Sequence, residues 1–339
     1  MQKSVCHTFA SLLFLSVLLS GCGGKNLILS EASGEPYELV AVYDRFVFKQ
    51  TPVPDTVNGF FSREIRGLPQ SEPMFKVYSV DEQNFSTIFK LHRNVLLITI
   101  DNKVKEKGVA VKEDSWARGQ LVVQILARSR DEFFEVFRER KKEIESYFVN
   151  KEMQRQNGEF TKIRSKSASA PFADSLGLDI VLPDGFYPIT ARQNFVLAKH
   201  MATKSAAGGY EAKIERGIFA CVFPFAEEGI FTVRRAVEVR DSLTRLYIPD
   251  YKAGAYMIVE PRLRPDSSAM NLNGEFALIS RGLWRIKEGF KGGPFVNLLT
   301  YDRKNNRIIM ADGYVYAPEF NKRTYIRQVE AIIRSVKPL

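Results

Sequence analysis

Three cysteines, three histidines and two tryptophans are the residues of this 339-residue chain whose types could carry chemistry unaided. His7 lies in the apolar N-terminus. His92 and His200 stand alone, with no second histidine at helical spacing and no cysteine pair, so no His/Cys metal site is spelled out. No EF-hand loop occurs, and neither G-x-S-x-G nor S-x-x-K is present, which removes the local signatures of serine hydrolases. A serine–histidine pair would have to assemble in space around His92 or His200. The stretch "GFKGGPF" has glycines and a lysine but not the G-x-x-x-x-G-K-[ST] phosphate loop. Gly292-Gly293-Pro294 reads instead as a turn that passes close to a neighbouring strand. Glu227 and Glu228 are adjacent acids in a surface loop, whereas glycoside hydrolysis needs carboxylates about 5–10 Å apart across a cleft. Trp116 in "WARG" and Trp284 in "RGLW" remain, each near an arginine and a glycine. Arginine beside tryptophan can build a cation–π or carboxylate-binding corner. Arg93, Trp116, Arg281 and Trp284 are therefore the candidate binding residues. No catalytic residue, metal ligand or cofactor is assigned.

Cys22 offers a different chemistry. Lys3 precedes an apolar run from Val5 to Leu19, shorter than the roughly 20 residues a spanning helix needs. A basic start, a short apolar run and small residues after it describe an export signal over 1–21. Leu19-Ser20-Gly21-Cys22 resembles a bacterial lipobox, and the resemblance to bacterial lipoproteins implies cleavage before Cys22, a diacylglyceryl group on its thiol and acylation of the new amine. Two or more acyl chains hold a protein stably, at about 0.8 kcal/mol per buried methylene. Cys6 would leave with the signal. Cys221, alone in "GIFACVFPF", is then without a partner in the chain and reads as a small buried hydrophobe.

The net charge of +10 is basic, and 45% of the residues are hydrophobic. A basic balance can indicate nucleic acid, but an exported chain meets little of it. The expected partners are the membrane through the lipid anchor and an envelope protein, anionic lipid or acidic glycan, with no nucleic acid. The lead reading is a non-enzymatic binding or accessory module of the cell envelope, on the outer membrane facing the periplasm. The alternative is an envelope hydrolase with a carboxylate, serine or histidine site assembled by the fold.

The elements that must position these residues follow from periodicity. Residues 22–36 read as a tether. Strands are expected at 37–44, 94–101 (central) and 116–128, and a helix over 81–92 capped by Asp81. Ser129 to Glu132 fits a capping box, and Phe133, Phe137, Ile144 and Phe148 recur near the helical period. The polar stretch 151–172 reads as a connector between an N-terminal domain (37–150) and a C-terminal one (173–339). The second half is expected to run as strands through "YEAKIERGIFACVFPF", a helix capped by Thr232, the strands "EFALISRGLWRI", "FVNLLTYD" and "RIIMADGYVYAP", and a last helix capped by Asn321. Hairpins mixed with helices predict an α+β class with mixed or antiparallel sheets.

Several blocks carry a resemblance: "GLPQSEPMF" (67–75), "HRNVLL" (92–97), "WARGQ" (116–120), "RGLW" (281–284), "KGGPFV" (291–296) and "YVYAPEFNKRTYIRQVE" (314–330). Together they resemble an uncharacterised family of Bacteroidota lipoproteins, the domain of unknown function DUF4837. The resemblance implies export, lipidation and an α+β body, and supplies no activity or catalytic residue. The second half also looks loosely like the small PsbP and Mog1 type of fold, on the strength of its P-D-G turn and closing hairpin plus helix.

Overall fold

Alternating side chains set the N-terminal architecture in the computed structural model, which describes residues 29–225, 228–250 and 254–339. β1 (Glu38–Tyr43) sends Leu39, Ala41 and Tyr43 to one face and Val40 and Val42 to the other, all buried. A strand that is apolar on both faces suits the interior of a covered parallel sheet. In chain order there follow α1 (Arg45–Gln50), α2 (Val53–Phe61), β2 (Lys76–Asp81), α3 (Thr87–Lys90), β3 (Asn94–Ile100), β4 (Gly108–Glu113) and β5 (Leu121–Ala127). The sheet order is β2-β1-β3-β5-β4, with β3 at the centre. β2, β1, β3 and β5 run parallel, and only β4 is antiparallel. The helix expected over 81–92 is broken. Asp81 caps a single tight turn at Glu82–Asn84, and α3 has four residues.

The next helix corrects the predicted connector. α4 (Arg130–Lys162) runs 33 residues without interruption, and α5 (Lys166–Leu176) follows almost at once. Ser129 accepts from the Glu132 backbone N–H, while the Glu132 carboxylate reaches Arg128 N–H. Phe133, Phe137, Ile144 and Phe148 are buried as the spacing requires, and Glu152, Met153 and Phe160 continue the buried stripe into the polar stretch. The stretch misleads because its polar residues are used inside. Glu152 accepts from Asn94 Nδ2 at 2.7 Å and from Arg155 Nη1 at 2.8 Å. Arg155 in turn donates to the Arg93 and Gly119 carbonyls. In α5, Ala168, Phe172 and Leu176 fall four apart and are buried, so small residues that look like a linker form a helix face.

The second half is built on one eight-stranded antiparallel sheet, with β6 and β15 pairing separately. Its elements are β6 (Leu178–Asp179), β7 (Phe186–Arg192), β8 (Phe195–Ser205), β9 (Glu211–Pro224), α6 (Val233–Tyr247), β10 (Met257–Val259), β11 (Asp266–Leu272), β12 (Glu275–Ile286), β13 (Gly292–Asp302), β14 (Arg307–Tyr316), α7 (Arg323–Arg334) and β15 (Lys337–Pro338). The order is β10-β12-β13-β14-β9-β8-β7, with β11 also on β12. Alternation again divides the residues. Val296, Leu298, Ile309 and Ala311 face Val329 and Ile333 of α7, whereas Leu299, Ile308 and Met310 face Ala236 of α6. One continuous apolar cluster joins Leu39 and Ile98 of the first sheet, Phe148 of α4 and Ile309 and Ile333 of the second half. The protein is α+β, and its halves share a core. Among the described residues, no helix is long and apolar enough to cross a membrane.

Candidate functional site: a basic cleft between the halves

Two glycines let the halves touch. Residues 63–74 fold back on themselves, with Ile65 N–H on the Glu72 carbonyl and Met74 N–H on the Arg63 carbonyl. Gly67 sits in this loop at φ +82°, and a side-chain carbon there would lie 3.3 Å from the Gly282 nitrogen. Gly282 is confined on its own side, since a Cβ would come within 2.8 Å of the Phe295 ring. The left-handed backbone and close approach at Gly67 suit glycine, and Gly282 has no room for a side chain against Phe295 and Pro265.

The same loop caps α7. Asn321 was the expected cap, but the helix has no side-chain cap of its own. Glu72 from the other half accepts from Lys322 N–H and, at 2.8 Å, from Arg323 N–H. A carboxylate at these orphan donors also complements the helix dipole. Lower on α7, Arg327 donates to the Met74 sulfur and lies 5.0 Å from the centre of the Tyr37 ring.

Behind the cleft lies a buried charge cluster. Glu330 is 1% exposed and accepts from Arg281 Nε at 3.0 Å and Nη2 at 2.6 Å. Arg334 approaches it at 2.6 Å and Arg327 at 3.4 Å. Burial pushes the carboxyl up, but Arg281, Arg334 and Arg327 outweigh it and hold Glu330 well below the ordinary carboxylate range. Three guanidiniums surround one carboxylate, and of these Arg281 reaches the cleft.

The cleft has a volume of about 610 Å³ and is lined by residues 64–68, 263–267 and 281–283. Arg66 rises from the loop wall and Arg264 from the segment before β11. Both are exposed, and neither has a hydrogen bond or ion pair among the described residues. The acids of the lining are fewer. Glu64 is held by the Ser71 hydroxyl, and Asp266 lies across from Arg281 in the strand register. Leu68, Leu263, Pro265 and Leu283 supply apolar walls. Two free guanidinium forks over a basic floor can hold a carboxylate or phosphate, with apolar surface for the body that carries it.

The sequence candidates divide. Arg281 is the floor of this cleft. Trp284 is not its partner, because residues 281 and 284 face opposite sides of β12. Trp284 is buried, donates to the Val315 carbonyl at 3.2 Å and meets Tyr314 edge to face. Gly293 makes room for this contact, since a Cβ there would fall 2.0 Å from the Val315 oxygen. Arg93 pairs with Glu152 at 2.9 Å, and half-buried Trp116 packs edge-on against Phe85, both at the start of the first sheet. Of these four candidates only Arg281 lines the cleft. His92 is held by Glu38 at 3.3 Å and the His200 ring rests on Phe186, and no hydroxyl bonds either imidazole among the described residues. Burial pushes His92 down despite Glu38, and pushes the buried Cys221 thiol up to about 12. No group of three His, Cys, Asp or Glu residues placed to hold a metal occurs among the described residues. Cys22 and Glu227 lie outside them. Arg66 and Arg264 were missed in the sequence. The one signal for Arg66 was a repeated tripeptide, since Arg66-Gly67-Leu68 of the loop and Arg281-Gly282-Leu283 of β12 are the two sides of the contact.

Among solved structures, the chain is similar to a point mutant of the protein Mog1 and to the Saccharomyces cerevisiae Ran-binding protein Mog1p. These share 8% and 9% identity with it over 48% of this chain and 90% of theirs, with a TM-score of 0.28. The human StarD13 lipid transfer and protein localization domain follows at 14% identity, 46% and 90% coverage and a TM-score of 0.19. Likenesses at these scores carry no functional argument. No curated protein matches the chain. Residues 32–161 match the model of a domain of unknown function, DUF8532. Residues 165–335, half of the chain, match another, so the protein belongs to the family of the domain of unknown function DUF4837.

Proposed function

We propose that this is an exported lipoprotein, anchored through Cys22 on the periplasmic face of the outer membrane, whose body is a non-enzymatic binding module for an anionic partner of the envelope. The observation that carries the binding half is the cleft: Arg66 and Arg264, unpaired, stand over Arg281 between walls of leucine and proline. Unpaired cations beside apolar surface are groups waiting for a counter-charge, and the site is open rather than sealed. The address rests on Leu19-Ser20-Gly21-Cys22.

Each half has its test. Acyl labelling of wild type against Cys22→Ala should lose the label in the variant, and equal label in both refutes the anchor. In-cell crosslinking followed by pull-down should recover a partner with wild type and lose it with Arg66→Glu/Arg264→Glu. Recovery of no partner under several growth conditions sinks the binding module.

A further inference from the structure

The cleft opens at one end of a strand that the periodicity of the sequence did not reveal. β11 pairs with β12 in an unbroken register from Asp266↔Arg281 to Leu272↔Glu275 and with no other strand among the described residues. Its first four residues are exposed. The hairpin that joins the two strands has a two-residue turn, Asn273-Gly274, with φ +54° and +93°. A turn of this kind is closed by a hydrogen-bonded pair at the flanking positions, here Leu272 and Glu275. Bonded and non-bonded pairs then alternate, so residues 266, 268, 270 and 272 bond to β12. Ser267, Ala269 and Asn271 turn their N–H and C=O groups outward.

Other sheet edges are blunted in the usual ways. β7 carries Pro188 and a register break beside it. β2 begins with Lys76, β4 carries Lys112 and Glu113, and β10 has three residues. β11 has no proline, no lysine or arginine and no bulge. Instead it presents serine, serine and alanine, small enough for another backbone to lie alongside. Asp266 and Ser267 line the arginine cleft, and Leu272 and Asn273 line a second hollow of about 500 Å³ at the other end. The edge therefore joins two recesses.

We infer that the free edge of β11 receives an extended polypeptide strand whose terminal carboxylate docks between Arg66 and Arg264. This rests on the anion-binding reading of the cleft and names its occupant. Direction and chemistry agree. A strand added antiparallel to β11 brings its carboxyl end to Asp266, which is where the cleft lies. A row of outward N–H and C=O groups is complementary to a peptide backbone and not to a glycan or a lipid headgroup. A seven-residue edge matches about 20 Å of added strand.

The test uses the full chain in detergent and a displayed library of random octapeptides with free carboxyl ends. A parallel selection against Ala269→Pro serves as control. Proline at 269 removes one outward N–H and leaves the bonds to β12 intact, so the variant should melt like wild type. The best peptide, labelled for fluorescence anisotropy, should weaken at least about tenfold on alternate N-methylation and on Ala269→Pro. It should weaken by a similar factor on amidation of its carboxyl end and on Arg66→Glu/Arg264→Glu. Failure to enrich any peptide over the proline control, or a best peptide indifferent to N-methylation, overturns the strand. Polygalacturonate is the second probe. If it binds, is lost on the arginine reversal and ignores Ala269→Pro while no peptide is enriched, the anion-binding cleft stands and the strand falls. Backbone dependence without arginine dependence instead keeps the strand and overturns the carboxylate site.

Discussion

Replacing Glu330 by glutamine tests whether the charge cluster behind the cleft holds α7 on β12. The substitution keeps shape and removes one negative charge. It leaves Arg281, Arg327 and Arg334 around a neutral amide, with side chains only 22%, 7% and 15% exposed. Breaking a buried pair by removing one partner costs about 3–5 kcal/mol, because the other charge stays buried and unpaired. At roughly 2–4 °C per kcal/mol for a chain of this size class, the midpoint should fall by about 6–20 °C. Thermal denaturation followed by circular dichroism at neutral pH reads this directly. A second substitution, Arg327→Met, should return part of the loss, giving a coupling of about 1 kcal/mol or more in a double-mutant cycle. The pH dependence follows from the same carboxylate. Its folded pKa is depressed, so its stabilisation is fully present above the unfolded value of about 4.3 and is lost as the pH falls from there through the lower folded value. The wild-type curve should drop in that window, and the Glu330→Gln curve should be flatter. A variant within about 1 kcal/mol of wild type, or no return from Arg327→Met, refutes the view that this cluster clamps α7 to β12.

Three further outcomes follow from packing. Gly293→Ala drives a methyl group into the Val315 carbonyl and should destabilise by about 1–3 kcal/mol, while Gly59→Ala, in a helix with nothing nearby, should stabilise by a few tenths to about 1 kcal/mol; urea denaturation distinguishes the signs. Trp284→Ala should cost about 3–5 kcal/mol as a buried aromatic and Trp116→Ala clearly less, measured the same way. Glu31→Gln removes an exposed pair with Arg118 and should leave the melting midpoint unchanged at physiological salt, where such contacts are screened.

Legibility varied with the kind of physics involved. Strands and helices set by apolar period were readable: β1, β3, β12 to β14, the first five turns of α4, and α6 with its Thr232 cap, which accepts from Arg235 N–H. What failed was polarity used inside. Residues 151–162 read as a connector because Glu152 and Arg155 are charged, yet both are spent on the ends of β3 and β5. β11 failed for the opposite reason, since "DSSAMNL" has too few apolar residues to show a period and is held by its turn and its partner. The Asn321 cap failed because the cap comes from Glu72, some 250 positions away, a contact no local pattern encodes. Alternation also explains why Trp284 does not meet Arg281. Arginine and tryptophan three apart on a strand face opposite ways, so "RGLW" cannot make the corner that the same tetrapeptide would make on a helix.

The short blocks quoted from the sequence acquire a common meaning in three dimensions. Residues 92–97 and 116–120 meet at Arg155, where one guanidinium reaches the Arg93 and Gly119 carbonyls and the Asn94 amide. Residues 67–75, 281–284 and 314–330 meet at Glu72, Arg281 and Glu330. Both junctions fasten one piece of the chain to another. The cleft lies at the second, with the 64–68 wall inside the segment that matches DUF8532 and the 263–283 wall inside the one that matches DUF4837. Neither segment alone contains both arginines of the rim. If the cleft binds, binding is a property of the joined halves. Loosening the junction at Glu72, by Glu72→Gln, should then weaken binding in proportion to the loss of the interface even though Glu72 lines no wall of the cleft. Glu72→Gln with unaltered affinity and a lowered melting midpoint would separate the cleft from the junction and refute that coupling.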